Sequence, residues 1–326
     1  MTKSHVGLPK LKSTILSKRF LLSQLKQIDS DLSSKNRVLM METDFRRRLA
    51  IFFAALPLAS ASLASFNTSP YVLLFYSALR KATRVSTIEP DIFSSKLFSS
   101  METSAGKMIE AVTLPVYGWD VVLSQMHTPY SALDGMRLHD SGLEVATLKS
   151  GPKCLNDEMV ENFADAILEH SSTWANDHSV NKINFTYGVL YGTYRKSNKK
   201  DWHILRTLYE KIGSENFLVS PHGQWRCEFK HRGVIVKADI SVGIDWWLHL
   251  GNAIGVTTAA VEVWTALIRA CVATGVTDEP GQHYTIRDIE NILSGVPTSY
   301  NVGLLQRSQL PWLFLVANHF ADGLEE

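Results

Sequence analysis

The chain has 326 residues, of which 45% are hydrophobic and 20% charged, a composition that suits a globular protein with a large buried core. Its formal net charge of only +1 excludes a general electrostatic attraction to nucleic acid or membranes, so any basic surface has to be local. Three cysteines, Cys154, Cys227 and Cys271, lie far apart without a metal-binding or redox spacing, and we therefore expect a reducing, cytoplasmic environment.

Residues 1–100 are predicted to form a helical N-terminal region. Apolar residues recur near a 3.6-residue period in "RFLLSQLKQIDSDL" from Arg19, and "FRRRLAIFFAAL" and "PYVLLFYSALRKAT" continue the pattern. The most apolar stretch, "AIFFAALPLASASLA" from Ala50, is shorter than the ~20 residues of a membrane span and contains Pro57, so it predicts a buried helix and no membrane partner. We expect this region to act as a dimerisation or DNA-embracing arm.

The pattern changes within residues 101–326. The Ser-rich stretch "DIFSSKLFSSMETSAG" predicts a loop that leads into a helix, "GKMIEAVTLPVYG", which Pro115 and Gly118 bring to an end. Short β-rich runs follow, "WDVVLS", "GLEVATLK", "INFTYGVLYG" and "CEFKHRGVIVKADI", separated by the helical stretches "DEMVENFADAILEHSSTWA" and "DWHILRTLYEKIG". This alternation predicts an α/β fold, or more precisely a mixed α+β core.

The predicted strand "GLEVATLK" ends on Lys149, directly before Ser-Gly-Pro. Side chains alternate along a strand, so Val145, Thr147 and Lys149 share one face and Glu144 lies on the other. Asp134, fifteen residues before the lysine, is at a suitable distance for a hairpin to bring its carboxylate alongside. The pair suits a Mg²⁺ and water site, but spacing alone is more typical of a surface lysine and an unrelated turn aspartate.

Several segments, taken in chain order, resemble one family. "TSAGKMIEA", "LDG" with "EVATLKSGPKCLND", "GVLYGTYRKSNKKDW" and "GIDWWLHLGN" are similar to segments of type II restriction endonucleases of the PD-(D/E)XK nuclease superfamily, in the PmeII-like group, over about Thr103 to Ala270. The resemblance implies a restriction-endonuclease-like core, with a central mixed sheet flanked by helices. It also implies a prokaryotic, Mg²⁺-dependent enzyme that cleaves double-stranded DNA at a short specific site and leaves 5′-phosphate ends. Such enzymes usually read near-palindromic sites, so a homodimer is expected.

The same resemblance implies four catalytic residues, of which all but the lysine are expected to hold the metal. They are Asp134, Lys149, Glu161 and Glu110. The family pattern places an acidic residue two positions before the lysine, where this chain has Thr147. We expect Glu161, on the following helix, to supply the missing carboxylate, although its position about 200° around that helix from Phe163 equally suits a solvated face. Glu144 would reach the site only through a bulge in the strand.

Six residues are expected to contact DNA. They are Lys153, Asn156, Arg195, Lys196, Lys199 and Lys200. The last four form a basic cluster that suits phosphate contacts, which position a duplex without reading its sequence. Lys153 and Asn156 follow the predicted catalytic strand and are placed to reach the backbone or base edges, while Asn156 is also a good helix N-cap. "GIDWWLHLGN" is expected to be mostly core because of its apolar side chains.

Two other functions remain open. One is a related repair or nicking nuclease. The other is a DNA-binding protein whose nuclease site has decayed, a possibility raised by Thr147. The presence of both Asp134 and Lys149 favours an active enzyme, since a decayed site has no reason to keep both.

Overall fold

A computed structural model describes residues 6–55, 89–123, 128–274 and 303–326, together with a few positions between 76 and 84. The chain forms two compact units, one of Met1–Phe45 with Glu110–Glu326 and the other of Arg46–Ile109. The sequence places a boundary at residue 100, whereas the structure divides the chain at 45 and 110. The first predicted helix therefore packs within the unit that carries the sheet.

Two N-terminal helices follow the predicted periodicity. Helix α1 (Lys18–Ser30) begins after Ser17, whose hydroxyl accepts a hydrogen bond from the Phe20 amide at 3.1 Å, and it buries its apolar stripe. Helix α2 (Leu32–Ala55) buries residues only up to Phe45. Beyond that point Ile51 and Phe53 are exposed, so for residues 50–55 the predicted helix is confirmed and its predicted burial is wrong. Its remainder, and most of "PYVLLFYSALRKAT", lie outside the described residues.

The Ser-rich stretch predicted as a loop belongs to a long helix, α3 (Glu89–Val116). Two of its hydroxyl groups bond within the helix: Ser94 donates to the Pro90 carbonyl and Thr103 to the Ser99 carbonyl, each at 3.2 Å. Hydroxyl side chains that bond the preceding turn in this way do not interrupt a helix. The predicted end is confirmed, because Gly118 adopts a positive φ of 77° just after the last turn.

Seven strands form one mixed sheet, and two more pair separately. The sheet contains β2 (Asp120–Val121), β3 (Gly135–His139), β4 (Gly142–Lys149), β5 (Lys182–Val189), β6 (Phe217–Val219), β7 (Arg226–His231) and β8 (Val234–Val242); the separate parallel pair is β1 (Ile15–Ser17) with β9 (Gly323–Glu325). The order across the sheet is β2-β3-β4-β5-β8-β7-β6. Strands β4, β5 and β8 are parallel, and the other neighbours are antiparallel.

Helices cover both faces of this sheet. Helices α4 (Asp157–Asp177) and α5 (Lys200–Ile212) share one core with side chains such as Val145, Phe185 and Val236. On the other face, helix α6 (Ile244–Asn252) places Trp246 so close to Gly188 that a Cβ there would lie 2.7 Å from the indole. Helices α7 (Ala259–Cys271) and α8 (Leu310–His319) follow along the chain. The predicted fold class is confirmed: a central mixed sheet flanked by helices.

The described helices include none with the length and apolar character that a membrane span requires.

A buried ion pair links α2 to α7. Glu262 is fully buried and accepts two hydrogen bonds from Arg37, through Nε and Nη2, both at 2.8 Å. The hydroxyl groups of Tyr117 and Thr258 donate to the same carboxylate at 2.8 and 2.6 Å. Burial, together with the neighbouring charge of Glu262, raises the pKa of Tyr117, so that hydroxyl remains a donor. The carboxylate is thus held by four hydrogen bonds in the interior.

Candidate active site

Asp134 lies directly before β3, in the hairpin partner of the strand that ends on Lys149. Gly135 pairs with Ala146, so Asp134 stands opposite Thr147 and shares its face. The Asp134 amide donates to the Ala146 carbonyl at 2.8 Å, and the Leu148 amide donates to Asp134 Oδ2 at 2.6 Å. The carboxylate therefore takes the place of a backbone carbonyl in the β3–β4 ladder. The predicted hairpin is confirmed.

Lys149 is the last residue of β4 and lies on the same face as Thr147. Its Nζ lies 5.4 Å from the ring centroid of Phe163 on α4, a cation–π contact. Its carbonyl accepts a hydrogen bond from the Leu190 amide at 2.8 Å, which ties the strand end to the segment after β5. Because residues two apart on a strand lie about 7 Å apart, Asp134 and Lys149 border one small area at the sheet's edge.

The neighbouring strand contributes Tyr187, which stands beside Thr147 in the β4–β5 register. The Tyr187 ring packs edge-on against Phe163 with centroids 5.7 Å apart. Burial, followed by the negative charges of Asp201 and Asp134, raises the pKa of Tyr187. Tyr187 therefore stays neutral beside the aspartate, and sequence reasoning missed it because "INFTYGVLYG" shows only an apolar strand.

Thr147 is buried, and its hydroxyl donates to the Ala132 carbonyl in the loop before Asp134. A hydroxyl used in this way supports the loop and supplies no negative charge. Thr147, which stands where the restriction-endonuclease pattern has an acidic residue, therefore has a structural role.

Glu161 lies elsewhere, which corrects the expectation that it supplies the missing acid. Its carboxylate pairs with Lys211 of α5 at 2.9 Å, and Asp165 joins the same lysine at 2.6 Å. The Glu161 side chain is 57% exposed. Phe163, which contacts Lys149, points to the opposite side of α4, so Glu161 occupies the solvated face.

Glu144 does not supply the missing carboxylate either. It lies on the opposite face of β4, where Arg137 Nη2 donates to Glu144 Oε2 at 2.7 Å, and the strand keeps a regular register with both neighbours. Glu110 is partly buried on α3. Among the residues that the structure describes, no group of three or more His, Cys, Asp or Glu side chains is arranged to hold a metal. Mg²⁺ is commonly held by one or two carboxylates together with other oxygen ligands, and a carboxylate such as that of Asp134 has the chemistry of one such ligand.

The side chains of the basic cluster predicted to contact phosphates are largely engaged with other residues of the chain, in part at the surface. Lys196 donates to the Ala321 carbonyl, and Lys199 donates to the carbonyl of Arg195 at 3.1 Å and to that of Ser197. Lys200 forms an ion pair with Asp157, which lowers the pKa of that carboxyl group. Three of the four expected phosphate contacts are therefore structural ties.

Of the remaining residues expected to contact DNA, one caps a helix and two are exposed at the surface. Asn156 is the N-cap of α4, since its Oδ1 accepts from the Met159 amide at 2.8 Å, which confirms the capping prediction. Lys153 and Arg195 are exposed at the surface. Arg195 makes one long hydrogen bond to the Ser13 hydroxyl at 3.3 Å.

A polar row on the opposite sheet face was not recognised from the sequence. It includes the Arg137–Glu144 pair and an ion pair of Lys237 with Asp239 at 2.7 Å. His249 of α6 packs against Trp119 and Trp246, with ring centroids 6.1 and 5.7 Å away. Charged residues at alternate positions of β8 were the only sequence signal, and they are equally typical of a solvated strand face. This row is a second polar environment, separated from Lys149 by the sheet.

His249 predicts a pH dependence of stability. Burial lowers the pKa of His249, the charges of Glu144 and Asp239 raise it, and those of Lys237 and Arg137 lower it. Because the folded pKa lies below the unfolded value of about 6.5, the neutral ring contributes stability above pH ~6.5 that is lost as the pH falls.

We therefore expect the urea concentration at the midpoint of unfolding to decrease as the pH is lowered from about 7.5 to 5.5. The His249→Gln substitution should reduce that decrease. The exposed His222 provides a matched control, and His222→Gln should leave the decrease as it is. An unchanged pH dependence in His249→Gln would show that other groups, such as His203 and His231 with their lowered pKa values, account for it.

A scan against models of protein families finds no match to this chain, and a search of curated proteins finds none either.

Proposed function

We propose that the protein is a type II site-specific deoxyribonuclease, a Mg²⁺-dependent restriction endonuclease that hydrolyses double-stranded DNA and leaves 5′-phosphate ends. The observation that carries the proposal is the placement of Asp134 and Lys149 on one face, at the adjoining ends of the β3–β4 hairpin. The resemblance of the segments around these residues to restriction endonucleases gives the same assignment.

Two side chains have distinct parts in the proposed reaction. The Leu148 amide fixes the Asp134 carboxylate, which would hold the Mg²⁺ ion whose chemistry is to activate water and neutralise phosphate charge. Lys149, held over Phe163, places a positive charge where negative charge develops on the phosphate. Tyr187 and Phe163 exclude water from the inner side of this area.

The proposal extends to partners and setting. A near-palindromic DNA site is matched by a protein with two-fold symmetry, so the enzyme would act as a homodimer on duplex DNA in a prokaryotic cytoplasm. A methyltransferase encoded beside it, which would protect the host's own copies of the site, is the corresponding genomic expectation.

Asp134→Asn is expected to abolish cleavage in Mg²⁺, with partial recovery in Mn²⁺, while DNA binding persists. Asparagine keeps an oxygen that accepts from the Leu148 amide, so the hairpin remains while the anionic metal ligand is lost. Cleavage rates on plasmid DNA and binding in EDTA measure the two effects. Asp140→Asn, at the exposed tip of the same hairpin, is the control and should cut normally. A wild-type rate in Asp134→Asn would remove the metal-ligand assignment.

One second candidate is favoured by a specific observation. The Thr147 hydroxyl is committed to the Ala132 carbonyl, and the described residues contain no three-group metal cluster, both of which suit a DNA-binding protein whose nuclease site has decayed. Such a protein would bind duplex DNA and leave it intact in Mg²⁺ and in Mn²⁺. A nicking or repair nuclease would instead convert supercoiled plasmid to open circles without discrete linear fragments.

A further inference from the structure

Two loops at the edge of the sheet form one joined surface, which we call the two-loop platform: residues 149–157, from the last residue of β4 to the first of α4, and residues 193–201, after β5. Asn198 joins them, because its amide donates to the Pro152 carbonyl at 3.2 Å and its Nδ2 to the Leu155 carbonyl at 2.9 Å. Gly192 packs so closely on Pro152 that a Cβ would lie 2.7 Å from the ring. The two loops are therefore positioned together, directly beyond the strand that ends on Lys149.

This surface is strongly basic in a chain that is nearly neutral. Residues 149–157 and 193–201 contain six Lys or Arg and two Asp, a net charge of +4 against +1 for the whole chain. One of the two acids, Asp201, is buried and bonded to Ser197, and the other, Asp157, is paired with Lys200. A concentrated positive charge of this kind attracts a polyanion.

The internal contacts decide which of these cations face a partner. Lys196, Lys199 and Lys200 hold the loops through carbonyl groups and Asp157, whereas Lys153 and Arg195 are exposed, one on each loop. The two exposed cations are thus presented on a surface whose shape the other three maintain.

We propose that the two-loop platform binds the phosphate backbone of duplex DNA through Lys153 and Arg195, and that Asn198 is the positioning residue that keeps these two side chains in one surface. The inference rests on the proposed function and deepens it, since it places the backbone next to Lys149. Of the four phosphate contacts that the sequence predicts, at Arg195, Lys196, Lys199 and Lys200, it keeps only Arg195, and it assigns Lys153 to the backbone rather than to base edges.

The test is the salt dependence of binding to a fluorescent DNA duplex, measured by anisotropy in EDTA so that no metal-dependent cleavage occurs. The double variant Lys153→Ala/Arg195→Ala should bind all sequences more weakly and reduce the slope of log K against log salt by about two units. The matched double variant Lys199→Ala/Lys200→Ala removes the same number of charges and should change the slope by less than half as much. Equal slopes for the two variants would overturn the assignment.

Asn198→Ala tests the positioning role separately. With the cations present but the loops untied, affinity should fall about tenfold while the salt slope stays at the wild-type value. Asn216→Ala is the control, because it also removes a side-chain bond to a carbonyl, from Nδ2 to Ile212 at 3.2 Å, away from the platform. Urea unfolding of both variants shows whether the loss follows stability. Wild-type affinity in Asn198→Ala, or an affinity loss equal to that of Asn216→Ala, would contradict the role.

Failure of the platform and failure of the nuclease proposal have different signatures. DNA that is bound with the predicted slopes but never cut supports the platform and removes the nuclease. Cleavage of DNA, together with an unchanged salt slope in Lys153→Ala/Arg195→Ala, supports the nuclease and removes the platform. A wild-type protein that prefers duplex RNA of the same sequence, or binds neither duplex, overturns the platform as a DNA surface.

Discussion

Replacing Lys149 by alanine is expected to slow DNA cleavage by at least about 10²–10³-fold, the usual cost of removing one group that stabilises developing charge. Binding should stay within about tenfold, or ~1.4 kcal/mol, because the phosphate contacts that hold the duplex lie on other residues. The fold should survive, since the substitution removes only one cation–π contact with Phe163, worth about 0.5–1 kcal/mol.

Single-turnover cleavage with enzyme in excess measures this effect without interference from product release. Lys149→Arg keeps the charge with a different geometry and should retain part of the activity. Lys26→Ala, at an exposed position of α1, should cut at the wild-type rate. If Lys149→Ala cuts as fast as the wild type, the charge at the end of β4 has no part in the chemistry.

Replacing Glu262 by glutamine is expected to lower the free energy of unfolding by about 3–5 kcal/mol, the typical cost of removing one partner from a buried ion pair. Arg37 would keep its charge in the interior without a counter-ion, and the donors on Tyr117 and Thr258 would face a weaker acceptor. Loss of the Arg37–Glu262 pair would weaken the contact between α2 and α7, so we expect a larger effect on stability than from loss of a surface ion pair.

Urea unfolding at constant pH measures the loss for Glu262→Gln. The control is Glu210→Gln, which breaks the exposed Arg206–Glu210 pair at 2.9 Å and should cost less than about 1 kcal/mol. The double variant Arg37→Met/Glu262→Leu should recover much of the stability, because it removes the charge and the unpaired partner together. A Glu262→Gln variant as stable as Glu210→Gln would mean that water replaces the lost interaction.

The local patterns of the sequence predict most of the sheet and the helices around it. The alternation in "GLEVATLK" places Thr147 and Lys149 on one face and Glu144 on the other, as observed. Asn156 before an apolar period marks the start of α4. Each of these features depends on neighbours within a few residues, which a single sequence displays directly.

The partners of the charged side chains could not be predicted in the same way. Lys196 bonds Ala321, Lys200 pairs with Asp157, and Glu161 pairs with Lys211, all across separations of more than forty residues. Local spacing contains no information on such contacts. The sequence therefore predicts that the basic cluster binds phosphates, whereas in the structure most of its side chains bind other residues of the chain. For Glu161 the helical period already allows a solvated face, about 200° from Phe163, but its partner on α5, Lys211, could not be predicted from the sequence.

The most direct test of the proposed function is to incubate the wild-type protein with phage DNA and Mg²⁺ and to sequence the resulting ends. Discrete fragments, whose ends all carry a 5′-phosphate and the same flanking sequence and which are absent in EDTA and in Lys149→Ala, are the predicted result. DNA that stays intact in both Mg²⁺ and Mn²⁺ while remaining bound would contradict the assignment of Asp134 and Lys149 as a nuclease site.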